Sequence, residues 1–323
     1  DTRRLNDLGD GGKVTVWGDV FATEVKGSRR KIYFTSITDY SGSVNLKVMG
    51  EEGADMSKWE GLKPGTTLIV RGNYMYDKYE HDFVIMPYDV LQVEREQRQD
   101  TAPDGEKRVE LHLHTKSSSM DGFNDPGKIV RLAHRMGHRA IAITDHGVMY
   151  GCVQFYKAAK KAGIKPIIGC EVYVATRTRF DKVNKIDGNN HLILLCKNET
   201  GYKNLAKLVS AAFIEGFYSK PRVDKQLLEQ YHDGLICLSA CLAGEIPQAI
   251  LSGDYERAKA SALWYRDLFG EGNYYIELQD HGLEEDNIVL PQLIKLARET
   301  GIPMAATNDS HYLRKAVSYT HLR

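Results

Sequence analysis

The chain has 323 residues, 42% hydrophobic and 27% charged, with 43 basic and 43 acidic side chains and a formal net charge of zero. That length allows two domains with separate cores, and the ordinary balance excludes a disordered, collagenous or disulfide-stapled miniprotein. No apolar run approaches a membrane span, no signal peptide opens the sequence, and five scattered cysteines without a CxxC pair fit a reducing, cytoplasmic compartment.

The polar opening, residues 1–12, reads as a tail. Residues 13–94 read as all-β: "KVTVWGDVFATEV", "KIYFTSITDY", "SVNLKVMG", "TTLIVRGNYMY" and "DFVIMPYDVLQVE" are rich in β-branched and aromatic residues and are separated by turn signals. A helical patch, "GADMSKWEGL", falls between the third and fourth strands. Five strands with a helix after the third is the order of an OB-fold barrel. Its loop "KGSRRK" gathers Lys26, Arg29, Arg30 and Lys31, and Tyr33, Tyr74 and Tyr76, with Trp17, Phe21 and Phe34, offer faces on which bases could stack. A barrel's aromatic core and a solvated basic loop account for the same residues. A slight acidic excess over the first hundred positions leaves no electrostatic footprint of tight DNA binding. Residues 95–108, polar and charged, read as a linker.

From 109 the rhythm alternates between strand and helix. The strands are "RVELHLHT", "AIAITDH", "PIIGCEVYV", "HLILLCKN", "LICLSAC", "YYIELQD" and "PMAATNDSH". The helices are "PGKIVRLAHRMG", "VQFYKAAKKAG", "ETGYKNLAKLVSAAFIEG", "DKQLLEQY", "YERAKASALWYRDLFG" and "NIVLPQLIKLARETG", with apolar spacings of three and four. This pattern predicts a parallel seven-stranded β/α barrel, with a doubly wound sheet as the alternative.

In such barrels the functional residues gather where strands end. The first strand ends in His112 and His114, which alternation puts on one face, and Asp121 follows on the next loop. The second ends in Asp145 and His146, the third in Cys170 and Glu171, the fifth in Cys241, the sixth in Asp280 and His281, and the seventh in Asp309 and His311. His191 opens the fourth strand instead of closing it. Imidazole, carboxylate and thiolate are ligands of transition metals, and sites rich in them hold two or three divalent ions that activate water for displacement at phosphorus. Glu171, between apolar strand residues, would be a buried carboxylate in need of a cation. Cys241 reads equally well as a small buried residue. Asp145 and His281 are candidates for orienting work, with a plain loop residue favoured for His281. Cys152, Cys170, Cys196 and Cys237 read as packing, and His134 and His138 as surface residues.

Together "HLHT", "AITDHG", "GCEVYV", "LSACLAGEI" and "TNDSHYL" resemble the PHP (polymerase and histidinol phosphatase) domain of bacterial C-family DNA polymerase III alpha subunits, over 109–316. The body stretches "FYKAAKKAGIKPIIGCEVYV", "KNETGYKNLAKLVS" and "ELQDHGL" look DnaE-like, while "GDVFATEV" through "SITDYSGSVNLKV" is similar to the OB domain of the PolC type. Glu171 and His191 lie too close to admit the exonuclease domain that PolC-type chains carry between them. The resemblance implies a metal set of His112, His114, Asp121, His146, Glu171, His191, Cys241, Asp309 and His311, with Asp309, His146 and Asp145 at the chemistry. It implies two or three ions of Zn, Mn or Fe, with Mg for the parent's polymerase activity. Expected of such a chain are 3′–5′ exonuclease action, binding of single-stranded and primer-template DNA, contacts with the remaining polymerase domains and other replisome subunits, and a place in the cytoplasm away from membranes. Alternatives are a PHP scaffold bracing the polymerase core without catalysis, and a phosphatase acting on small phosphate esters. Residues 317–323 depart from the family pattern and read as an atypical tail. With no palm, fingers or thumb in the sequence, this chain alone is not expected to polymerise DNA.

Overall fold

The computed structural model describes residues 2–28, 30–50, 55–94, 100–103, 105–118 and 121–313. Arg29 and the run 317–323 lie outside these. The chain divides into two units, which meet in sequence between residues 98 and 99.

In the first unit, β1 (Gly12–Lys26), β2 (Ile32–Thr38), β3 (Ser43–Met49), the single turn α1 (Ser57–Glu60), β4 (Thr67–Asp77) and β5 (Asp82–Val93) follow in chain order. The strands close into a barrel in the order β1-β2-β3-β5-β4. Strand β1 is long enough to serve two neighbours: Gly12–Asp19 pair with β4 and Asp19–Lys26 with β2. Closure comes from a short parallel pairing of β3 with β5 at Asn45↔Val84 and Leu46↔Ile85. Alternation along the strands turns Val16, Ile37, Leu46, Leu68, Val70 and Ile85 into one core. Gly72 lies at a bulge in the β4–β5 pairing, where an added Cβ would stand 2.5 Å from Ile85 and 2.7 Å from the Met86 carbonyl. Only glycine allows the barrel to bend there.

The side chains expected to meet DNA are unequally free. The Tyr33 ring is buried and its hydroxyl donates to Glu60 at 2.8 Å, so it is core and not a stacking platform. Phe34 is buried as well, beneath the Lys26 ammonium at 4.5 Å. Lys26 also pairs with Glu80 at 3.2 Å, and Lys31 with Glu60 at 3.2 Å. Arg30, Phe21 and Tyr76 are exposed, and Tyr74 stacks on Phe83 at 4.9 Å.

The second unit runs α2 (Pro126–Arg135), β6 (Ala140–Ile143), α3 (Cys152–Ala162), β7 (Lys165–Ala175), β8 (Asn189–Cys196), α4 (Glu199–Ile214), β9 (Arg222–Val223), α5 (Lys225–Tyr231), β10 (Leu235–Leu238), α6 (Glu245–Leu251), α7 (Tyr255–Phe269), β11 (Tyr274–Leu278), α8 (Glu284–Thr300) and β12 (Met304–Ala306). Side chains of Asp125, Asn198, Asp224 and Asp254 accept the free amides that begin α2, α4, α5 and α7. The sheet order is β12-β11-β10-β8-β7-β6, with β9 alongside β7.

Two features differ from the parallel barrel that the sequence predicts. Strand β8 runs antiparallel to both β7 and β10, because β7 and β8 are joined without the helical crossover that a parallel return requires. And "RVELHLHT" is no regular strand. Its core, Glu110–His114, lies between the two edges of the sheet and bonds to each. On one side the Ala142 and Thr144 amides donate to the carbonyls of Glu110 and Leu113, both at 2.9 Å. On the other, Ser310 N donates to His112 O and His114 N to Ser310 O, both at 3.0 Å. The segment is irregular because side chains substitute for ladder partners. Leu113 N donates to Thr144 Oγ1 at 2.8 Å, and the buried Glu110 carboxylate accepts from the amides of His112 and Asn308 at 3.2 and 3.1 Å. The sheet therefore curls until its two edges share one strip of chain.

The main core packs Cys170, Leu194, Leu205, Ile276 and Leu296 between sheet and helices. A second, around Phe155, Ile129, Val130 and Ile143, lies under α2 and α3. Among the described residues no helix is long and apolar enough to cross a membrane.

Candidate metal centre

His112 and His114 leave the irregular segment on one side, fully buried, while Leu113 between them turns into the core under α2 and α3. Glu171, also fully buried, faces them from β7. Asp309 joins from the turn after β12, held in the left-handed region at φ 47°. Both imidazoles place Nε2 at 3.1 Å from Glu171 Oε2 and at 3.1 Å from Asp309 Oδ1. His146, just beyond β6, brings Nδ1 to 2.9 Å from Glu171 Oε2 and Nε2 to 2.9 Å from Asp121 Oδ2. His191 Nδ1 stands 2.8 Å from Glu171 Oε1, and Cys241 Sγ lies 3.6 Å from that nitrogen. His311 Nε2 approaches Asp121 at 3.5 Å, and its ring stacks on His114 with centroids 4.3 Å apart.

All nine residues expected as ligands thus converge. Donor atoms of seven of them form three overlapping groups, each within 4.8 Å: His112, His114, Glu171 and Asp309; His146, Glu171 and His191; and His114, His146 and His311, with Asp121 and Cys241 alongside. The antiparallel β8 explains His191. A reversed strand begins at the end where its neighbours finish, so a residue that opens β8 belongs to the same rim as residues that close the others.

Residues 110–281 match the model of the PHP domain. The chain belongs to the PHP family. DNA polymerase III subunit alpha of Treponema pallidum is 52% identical over 206 residues, which are 63% of this chain and 18% of that protein. The same subunit of Borreliella burgdorferi is 48% identical over 211 residues, 64% of this chain and 18% of that one. The chain therefore spans a minor part of the length of these relatives. An amidohydrolase from Chromobacterium violaceum overlays on 63% of this chain and 87% of its own with a TM-score of 0.36 and 15% identity, too distant a likeness to carry chemistry across.

Of the two places expected for Asp145, the contacts match the orienting one and not the one at the chemistry. Its oxygens accept from Thr115 N at 2.6 Å, Thr115 Oγ1 at 2.8 Å and Ser118 Oγ at 2.8 Å, and Ser118 Oγ meets His114 Nδ1 at 3.0 Å. Asp145 thus reaches the cluster only through Ser118. His281 Nε2 is taken up by the Asn308 carbonyl at 2.9 Å, outside the cluster. His138 is half-buried and pairs with Asp100 at 3.2 Å, in place of the free surface position expected.

Ser118 was not among the expected site residues, and neither was Glu277. Glu277, buried on β11, sets Oε1 at 2.7 Å from His112 Nδ1 and accepts from Gln279 Nε2 at 2.9 Å and from Thr307 Oγ1. A carboxylate on the far nitrogen fixes the tautomer and leaves Nε2 facing Glu171 and Asp309. The signal was present in "YYIEL", an acidic residue in the middle of an apolar strand, but it does not lie at a strand end.

Burial opposes charge throughout the cluster, and mutual attraction overcomes it. Against the cost of burial, the carboxylates of Glu171, Glu277 and Asp309 hold the His112 imidazole well above the usual histidine range. Against the same cost, His112 and the neighbouring imidazoles hold Glu171 well below the carboxylate range, and Asp309 is brought down to about 2. Burial, with Glu171 and Asp309 nearby, pushes the Cys241 thiol up. The donors also suit a cation by direction. His114 Nε2, His146 Nδ1 and Asp309 Oδ1 are buried without hydrogen bonds, although oxygens or nitrogens of opposite character stand about 3 Å away. They point into shared space and not at one another, as ligands of an ion do. Imidazole and carboxylate with one thiol form a set suited to Zn, Mn or Fe.

Proposed function

We propose that the PHP unit is a metal-dependent phosphodiesterase that removes nucleotides from the 3′ end of DNA, in a chain belonging to a DNA polymerase III alpha subunit. The observation that carries this reading is the set of three overlapping donor groups, which share Glu171, His114 and His146 and open toward solvent at Asp121. Two or three divalent cations held there would neutralise phosphoryl charge and lower the pKa of water. Glu171 serves two of the groups at once, one oxygen toward His112, His114 and His146 and the other toward His191. This reading places Asp309, partly open beside His112 and His114, at the chemistry, together with His146, which with Asp121 faces the open side where a leaving oxygen would need a proton. The Glu110–His114 segment and Glu277 keep the floor fixed.

The first unit fits an OB-fold domain, on the strength of its five-stranded closed barrel and the helix between the third and fourth strands. In this reading it holds single-stranded DNA through Arg30, Phe21, Tyr76 and the Tyr74–Phe83 stack, with Lys26 and Lys31 largely engaged by carboxylates. Nucleotidyl transfer with Mg, primer-template binding and replisome partners would belong to the parent polymerase.

A second reading keeps the metals but not the chemistry. Glu171 is fully buried, so cations held there would stabilise a scaffold for the polymerase core. A 3′-labelled single-stranded oligonucleotide with Mn²⁺ or Zn²⁺ separates the two. The phosphodiesterase reading expects release of mononucleotides and a loss of about 10²-fold or more in Asp309→Ala at an equal protein concentration. Equal cleavage by parent and variant refutes it, and no cleavage by a metal-loaded parent transfers the function to the scaffold.

A further inference from the structure

The geometry points to a further element of substrate recognition: we propose that Lys220 is a contact for a backbone phosphate of DNA, presented beside the metal centre by a turn built for that purpose. This rests on the phosphodiesterase reading for its substrate, but not for its placement. Tyr173 of β7, two residues after Glu171, is buried with its ring 5.8 Å from that of His146 and 5.2 Å from that of His191. Over the same ring, at 5.3 Å from its centroid, stands the Lys220 ammonium. Lys220 is exposed, and its ammonium makes no ion pair or hydrogen bond with any described residue. Other lysines close to carboxylates in this unit have spent their charge, as Lys116 has on Asp125 and Lys225 on Glu245.

The turn that carries Lys220 is fixed at unusual cost. Arg222 is buried to 1% exposure with no carboxylate within ion-pair distance among the described residues. Its guanidinium is used on three carbonyls instead, those of Gly216 at 3.1 Å, Arg179 at 3.3 Å and Asp181 at 2.7 Å. A buried cation is expensive unless engaged, and this one is engaged only in part: Nε and Nη2 make these bonds, the guanidinium carbon lies 5.2 Å from the Tyr218 ring centroid, and Nη1 has no hydrogen-bond partner among the described residues. Here it ties both arms of the turn together, and Gly216 approaches so closely that a Cβ would stand 1.9 Å from the Arg222 carbonyl. Ser219 at the tip is held in the left-handed region at φ 59°, with Tyr218 N donating to Lys220 O at 3.0 Å. Strand β9 then registers Arg222 opposite Tyr173 on β7, and Pro221 lodges against Gly147, the residue after His146, where a Cβ would meet the proline at 2.8 Å. Register, buried guanidinium and strained tip all set one free ammonium over one ring beside two members of the metal cluster. A diester phosphate adjoining the scissile one is the anion that such a point charge fits.

Binding of a single-stranded oligodeoxynucleotide with phosphorothioate linkages, followed by anisotropy over a salt series, tests this in the full chain. Lys220→Gln is expected to weaken binding about 3–10-fold at low salt and to reduce the salt slope by about 0.7, one phosphate on a single strand, while Lys220→Arg retains both. Metal content is expected to be unchanged, with KM for cleavage raised and kcat kept. Unaltered affinity, slope and KM in Lys220→Gln overturn the proposal, and so does loss of metal from that variant, since the effect would then be structural. A changed slope in a chain that cleaves no DNA would keep the phosphate contact and refute the phosphodiesterase reading alone.

Discussion

At the scale of single residues, the cluster is a contest between desolvation and mutual attraction, and Glu277 shows how far it extends beyond the ligating atoms. Its carboxylate sits on the Nδ1 side of His112. Glu277→Gln keeps the shape but removes the charge that makes Nε2 a better donor, and metal affinity is expected to fall about 10–100-fold. A competition titration against a chromogenic chelator reads this directly, and parental affinity in the variant would show that Thr307 and Gln279 suffice to orient the ring. What the sequence disclosed at this scale was residue type and alternation: "HLHT" placed two imidazoles on one face, and both are there. What it could not disclose was direction. Asp145 stands beside His146 in the chain yet turns its oxygens to Thr115 and Ser118. Tyr33 reads as a stacking aromatic but lies in the barrel wall. A strand residue can face either way, and the choice is made by a neighbour distant in sequence.

At the scale of elements, long helices and strands were legible because their periodicity repeats several times. Strand β9, two residues long, and α6, seven residues with Pro247 in its first turn, offer no period to read. Yet α6 begins at a structurally demanding point. The largely buried Glu245 accepts from Lys225 Nζ at 2.9 Å, Ser261 Oγ at 2.7 Å and Tyr265 OH at 2.8 Å. Burial raises its pKa, but Lys225 and these donors win and hold it below the ordinary value. A carboxyl whose folded pKa is depressed contributes stability above its unfolded value near 4.3 and loses it as pH falls through the folded value. Glu245→Gln is expected to cost about 1–3 kcal/mol at pH 7 and to flatten the decline in stability below about pH 4.5. Urea unfolding at pH 7 and pH 3.5 checks this, and an equal penalty at both would mean that shape, not charge, matters at this position.

At the scale of the whole molecule, the described cores stay within their units. One is drawn entirely from Leu5 to Val90, and the others from Leu113 onward or from the sheet around Ile193. Calorimetry is expected to show two transitions, and a chelator is expected to lower only the one that belongs to the PHP unit, by several degrees, as linkage requires for a ligand bound by the native state alone. A single transition, or equal shifts in both, would show one cooperative body. The order of five strands and a helix in the first unit was legible from turn signals. The curl of the second sheet was not, because hydrogen bonds from Glu110–His114 to Ala142, Thr144 and Ser310, all distant in sequence, leave no local pattern.

The reversed direction of β8 has a consequence for the history of such chains. Because β7 and β8 are adjacent and antiparallel, Ala175 and Asn189 lie opposite each other, so the backbone leaves the sheet and re-enters it at neighbouring points. A graft there needs only to bring its own two ends close together, as most compact folds do, and the rest of the sheet need not adjust. The doorway also stands at the rim, two residues before His191 on β8, so whatever is spliced in arrives next to the cluster. A lineage could therefore acquire a second catalytic body at this hairpin without dismantling the first.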